Sequence, residues 1–113
     1  MREAVIVSTA RTPIGKAFRG AFNDTQAQEM AGHAIAEAVK RSKVSKEEID
    51  DVIIGAAGQQ GSQQGNIARQ SLLRAGLPVS VAGMSLDRQC ASGMMAIATA
   101  AKEITEDGMT ITV

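Results

Sequence analysis

Aromatic side chains are almost absent: the chain has two Phe, no Tyr and no Trp in 113 residues. Its interior must therefore be filled by Ala, Val, Ile, Leu and Met, which suits helices and sheets packed closely together. Cysteine is scarcer still. The single Cys90 excludes an internal disulfide, and with only one histidine, His33, a structural zinc site is excluded as well. An excess of either charge is also missing, because twelve basic residues balance twelve acidic ones. That removes the electrostatic signature of a nucleic-acid or anionic-membrane binder, so neither partner is expected. Any anionic ligand must then be held by local groups. Long hydrophobic runs are lacking too: Val5-Ile6-Val7 is far too short for a signal core, and no stretch resembles a membrane span. A reducing cytoplasm is the expected location.

What remains is a chain with 44% hydrophobic residues, enough for one domain with one modest core. Val5-Ile6-Val7 reads as a short buried strand, followed by a long connection punctuated by Pro13, Gly15 and Gly20. Asn23 and Gln26 have the spacing of a capping box. Ala27, Met30, Ala31, Ala34, Ile35, Ala38 and Val39 follow at helical spacing and predict an amphipathic helix. His33 lies off its apolar stripe and reads as a surface residue. Ser45 to Glu48 has the pattern of another capping box and leads into a second strand, Val52-Ile53-Ile54. Residues 66 to 75 predict a second helix, stopped by Gly76 and Pro78. Residues 81 to 86 predict a third strand, residues 90 to about 104 a third helix, and residues 109 to 113 a fourth strand.

The order is β-α-β-α-β-α-β, which argues for an α/β layer structure with a largely parallel sheet and no linker or repeat within residues 1–113. Natural domains seldom stop on an apolar strand residue such as Val113, so an incomplete domain is expected. The third helix points the same way. No charged residue occurs from Ala91 to Ala101, and a helix without a polar face must be covered on all sides. It should lie between two sheets, only one of which this chain supplies. Met94 and Met95 would then fill core or line a pocket.

Asp87-Arg88-Gln89-Cys90-Ala91-Ser92-Gly93 joins the third strand to that helix. A residue in such a turn has its side chain pushed out at the carboxyl end of the strand. Unpaired N–H groups of the first helical turn favour the thiolate over the thiol and can hold an oxyanion. The small residues Ala91, Ser92 and Gly93 leave room for an acyl group. Against this stands the plain alternative of a cysteine serving only as a small buried hydrophobe. Elsewhere, residues 11 to 15 read as a turn. The Gly/Gln stretch from 58 to 65 lacks the spacing of a nucleotide cradle. Arg69 and Arg74 point to different sides of their helix.

The segment DRQCASGMMAI resembles the nucleophile motif of the thiolase family of acetyl-CoA acetyltransferases and related acyltransferases. EAVIVSTARTPIGKAFRGAF is similar to that family's first strand and loop, and GQQGSQQGNIARQSLLRAGLP to its second strand-loop-helix unit. The resemblance implies the amino-terminal part of a thiolase, one half of a layered αβαβα fold with a buried central helix. It implies that Cys90 attacks an acyl-CoA, its backbone N–H acting as an oxyanion donor. The acyl-enzyme then serves a Claisen condensation of two acyl-CoA molecules or the thiolysis of a 3-ketoacyl-CoA. Coenzyme A is substrate rather than a tightly bound cofactor. The base histidine, a second cysteine and the CoA-binding loop of the family lie beyond residue 113. The fragment alone is thus expected to be inactive, and the full-length protein to be a homodimer or homotetramer. The Gly/Gln stretch corresponds to a region near subunit contacts in that family. Thiolases usually carry Asn at the position of Asp87, whereas the related ketoacyl synthases often have Asp three residues before their cysteine. A synthase-like condensing enzyme and a noncatalytic thiolase-like assembly module therefore stay open as alternatives. Asp87 itself is expected to pair with Arg88 or cap the helix rather than to act in catalysis.

Overall fold

A computed structural model describes residues 1–113 and contains three α-helices, two strands and two short 3-10 turns. The first helix, α1, spans Ala27–Ser42; of its predicted stripe Ile35 is buried and the rest is half-buried, Gly32 beside the stripe is buried as well, and His33 is exposed. Gln26, not Asn23, occupies the N-cap, and it makes no side-chain cap bond. Asn23 instead closes the preceding turn, accepting from the Gly20 N–H and donating to the Phe18 carbonyl. The Ser45 capping box also fails. Its hydroxyl donates to the nearer Glu47 carboxylate at 2.6 Å, beside the 3-10 turn Lys46–Glu48. A short polar side chain takes the nearest acceptor on offer, and spacing alone does not reveal which that is.

Strand β1, Asp51–Gly55, pairs in parallel with β2, Ala82–Leu86, with Asp51 opposite Ala82 and Gly55 opposite Leu86. Between them runs α2, Ile67–Arg74, capped by Asn66 and ended where Gly76 takes φ +81°. A β-α-β crossover of this kind is the expected way to join parallel neighbours. Helices α1 and α2 pack closely because Gly32 meets the Ser71 carbonyl and the Arg74 side chain without a Cβ between them. Ile35, Ile49, Val52, Ala68, Leu72, Leu77 and Val81 form one core between this helix pair and the sheet, each 7% exposed or less.

Two expected strands do not form as such. Val5, Ile6 and Val7 are 71–74% exposed and pair with no strand. They run as an arm over α1, tied by the Ser8 hydroxyl to the Ala38 carbonyl and by Arg41 to the Thr9 carbonyl. Residues 109 to 113 return beside β1 but make only a single bridge, Asp51 to Thr112. Three ladder bonds support it, from Asp50 N–H to Ile111 O, Ile53 N–H to Val113 O, and Val113 N–H to Asp51 O. The arm lacks the partner that a strand requires, and the last residues pair beside β1 over too few positions to count as one.

The third helix, α3, spans Ser92–Thr105 and lies against β1. The expectation that it is buried on every side is not met. Ser92, Ala96 and Glu103 face inward, whereas Met94 is 77% and Ile97 62% exposed. Met94 therefore fills no core among these residues. Their apolar character stands, but no element of residues 1–113 covers that face.

Candidate active site

Cys90 stands where the sequence places it, between the end of β2 and the start of α3, and it is exposed to solvent. The turn that carries it is tight. Gln89 takes φ +48°, a left-handed backbone that side-chain-bearing residues seldom adopt. Asp87 neither pairs with Arg88 nor caps the helix. Its Oδ1 accepts the Gln89 N–H at 2.8 Å, closing an Asx turn. The Arg88 guanidinium reaches instead to the Met95 sulfur at 3.5 Å.

Ser92, valued in the sequence only for its small size, has a structural task. It is 4% exposed, and its hydroxyl accepts the Arg88 N–H at 2.8 Å while donating to the Gln89 carbonyl at 2.6 Å. A serine three residues after a turn carbonyl is the signal that points to such a bond. Below it, Gly55 at the end of β1 touches the Ser92 backbone so closely that a Cβ there would overlap the Ser92 carbonyl group. The carboxyl end of β1 thus forms the floor on which the first turn of α3 rests.

The N–H groups of Ala91, Ser92 and Met95 are used inside the turn and helix, by Arg88 O, Gln89 O and Ala91 O. Those of Cys90, Gly93 and Met94 donate to no acceptor in the protein. Three free donors thus lie at the amino end of α3, in the turn that carries the exposed Cys90, the components of an oxyanion-binding position. His33 is on α1 and is not brought to this site, and the residues present form no metal-binding cluster.

Strand β2, which delivers the turn, is anchored from α2. Asn66, at φ +64°, accepts from the Arg69 N–H and the Ser85 hydroxyl and donates to the Gly83 carbonyl. Arg69 is half-buried and donates to the Val81 carbonyl at 2.6 Å, while Arg74 stays at the surface, 3.3 Å from Glu29. The two arginines do differ in environment, as their five-residue separation suggests.

The family model for the thiolase N-terminal domain matches residues 4–113. The chain belongs to the thiolase family. It is 41% identical to a 3-ketoacyl-CoA thiolase of Bacillus subtilis (strain 168) over 104 residues, 92% of this chain and 27% of that relative. It is 43% identical to the 3-oxoadipyl-CoA/3-oxo-5,6-dehydrosuberyl-CoA thiolase of Escherichia coli (strain K12) over 105 residues, covering 92% and 26%. An acetyl-CoA acetyltransferase of Syntrophomonas wolfei is 38% identical over 103 residues, covering 91% and 26%. The chain spans about a quarter of the length of these curated relatives. Its mixed helix-strand architecture with a parallel sheet agrees with the α/β class expected for a thiolase amino-terminal domain. No helix is long and apolar enough to cross a membrane.

Proposed function

We propose that these 113 residues carry the nucleophile of a thiolase, an acyltransferase acting on acyl-CoA thioesters in the cytoplasm. One observation carries this reading: Cys90 is solvent-exposed in the turn that opens α3, where the N–H groups of Cys90, Gly93 and Met94 are unpaired. In the proposed reaction the Cys90 sulfur attacks the acyl carbonyl, and the free amides hold the oxyanion that develops. Coenzyme A then leaves, and an acyl thioester remains on the protein.

A base is needed to take the proton from the sulfur, and another group to move the α-proton of the second acyl-CoA. His33 serves neither purpose, because it lies on α1, which is not among the elements packed against α3. Residues outside this chain supply both, so the 113 residues alone turn over no substrate. Coenzyme A enters and leaves as substrate, with no resident cofactor, and the whole protein works as a homodimer or homotetramer.

Asp87 does not require a ketoacyl synthase. It accepts the Gln89 N–H through one carboxylate oxygen, and an asparagine side-chain carbonyl can accept the same bond. Incubating the complete protein with acetyl-CoA and measuring its intact mass tests the proposal. An acetyl adduct that maps to Cys90 is expected. No adduct, with iodoacetamide reactivity at Cys90 like that of free cysteine, identifies a noncatalytic module instead.

A further inference from the structure

We infer that the Ser92 hydroxyl and the Asp87 side chain are positioning residues that clamp Gln89 and thereby aim the Cys90 N–H at the reacting carbonyl. The inference rests on the nucleophile assignment above and adds to it the groups that set the direction of the oxyanion donor. Gln89 at φ +48° bears a Cβ in a region that disfavours one, so the conformation must be held from outside. Both of its peptide groups are held. Asp87 Oδ1 fixes the Gln89 N–H at 2.8 Å, and the Ser92 hydroxyl fixes the Gln89 carbonyl at 2.6 Å. The Ser92 N–H donates to that same carbonyl at 3.1 Å.

The consequence follows from planarity. In a trans peptide the C=O of one residue and the N–H of the next point in opposite directions. Fixing the Gln89 carbonyl toward Ser92 therefore turns the Cys90 N–H away from the turn, and that N–H has no acceptor in the protein. The Ser92 hydroxyl also accepts the Arg88 N–H, so one oxygen links the residue before Gln89 to the carbonyl after it. Ser92 cannot drift, since it is buried and its backbone lies directly over Gly55. Asp87 needs only an oxygen acceptor for its part, whereas Ser92 needs a hydroxyl that both donates and accepts.

The test separates an oxyanion-forming reaction at Cys90 from one that forms none. In the complete protein, Ser92→Ala should slow acylation by acetyl-CoA by about 10–100-fold, less than outright loss of an oxyanion donor. The KM for acetyl-CoA should stay within about twofold, because ground-state binding is untouched. Alkylation by iodoacetamide, which develops no oxyanion, should change by less than about threefold. Ser92→Thr should restore acylation, and Asp87→Asn should acylate like wild type while Asp87→Ala does not. The inference is overturned if Ser92→Ala acylates at the wild-type rate, or if acylation and alkylation fall together. A wild-type protein that takes no acyl group overturns the nucleophile assignment instead. The clamp is then decided by the crystal structure of Ser92→Ala, where a Gln89 φ unchanged from +48° excludes it.

Discussion

Leu72 and Met94 are both large apolar residues on helices, yet one is 0% and the other 77% exposed. Around Leu72 the helices α1 and α2 close over β1 and β2 into one continuous core. Around Met94 and Ile97, and along Val5 to Val7, apolar side chains of the same kind stand bare. Hydrophobic patterning shows that a face is built to be covered, but the element that covers it need not be among these residues.

The comparison can be broken first by truncation. Leu72→Ala should cost about 2–5 kcal/mol, because the packing around a fully buried leucine relaxes only partly into the space it leaves. Met94→Ala and Ile97→Ala should each shift the stability of the 113-residue chain by less than about 0.5 kcal/mol. Urea denaturation midpoints measure both. Comparable losses at all three positions would show that the exposed face is packed after all.

A second contrast sets two glycines against each other. A Cβ on Gly55 overlaps the Ser92 backbone, whereas Gly93 has open space around its own. Gly55→Ala should destabilise by about 1–3 kcal/mol through forced displacement of the α3 turn. Gly93→Ala, in an exposed helix position, should be neutral or stabilise by up to about 1 kcal/mol. Thermal unfolding of the two variants separates them.

The amino end of β1 offers a third contrast, between two carboxyl environments. Burial, then the negative charges of Asp51 and Asp107, hold the Glu103 carboxyl above its usual range, and its Oε2 has no partner. Burial raises Asp51 too, opposed by the bond it accepts from the Val52 N–H. The Thr110 and Ile111 N–H groups, by contrast, hold Asp50 below its usual range. The signs are opposite. Glu103 and Asp51 bind protons more tightly when folded, so stability falls as pH rises from the ordinary carboxylate range through their raised values. The Asp50 contribution is present above that range and is lost as pH falls through its lowered value. Glu103→Gln should therefore stabilise the chain at neutral pH, on the order of 1 kcal/mol, and flatten the decline above the carboxylate range. A pH series of urea midpoints reads this out, and a Glu103→Gln curve parallel to wild type would contradict it.

A last contrast concerns α2. Asn66→Ala removes the N-cap bond to Arg69 and the link to Gly83, and should cost about 1 kcal/mol with β1 pairing retained. Circular dichroism during denaturation checks it.

Local signals in the sequence proved legible wherever the answer was also local. The stripe on α1, the Gly76 stop after α2 and the parallel β1–β2 pair depend on residues close in the chain or joined by one short crossover. The position of Cys90 at a strand-to-helix turn was legible for the same reason. Strand formation at Val5 to Val7 was not, because it depends on a neighbour rather than on its own composition. The full burial of α3 failed on the same ground. Capping by Asn23 and Ser45 was not legible because other partners, Gly20 on the preceding side and Glu47 one residue nearer, compete for the same short side chains. The work of Ser92 and Asp87 lay in the three-dimensional course of one turn, which residue types alone leave open.

The nucleophile assignment is tested most directly by thiolysis of a 3-ketoacyl-CoA by the complete protein carrying Cys90→Ala. Loss of turnover by at least about 10³-fold, with the protein still folded and still binding coenzyme A, is the predicted result. Turnover within about tenfold of wild type would contradict it and leave the exposed thiol of Cys90 without a part in the chemistry.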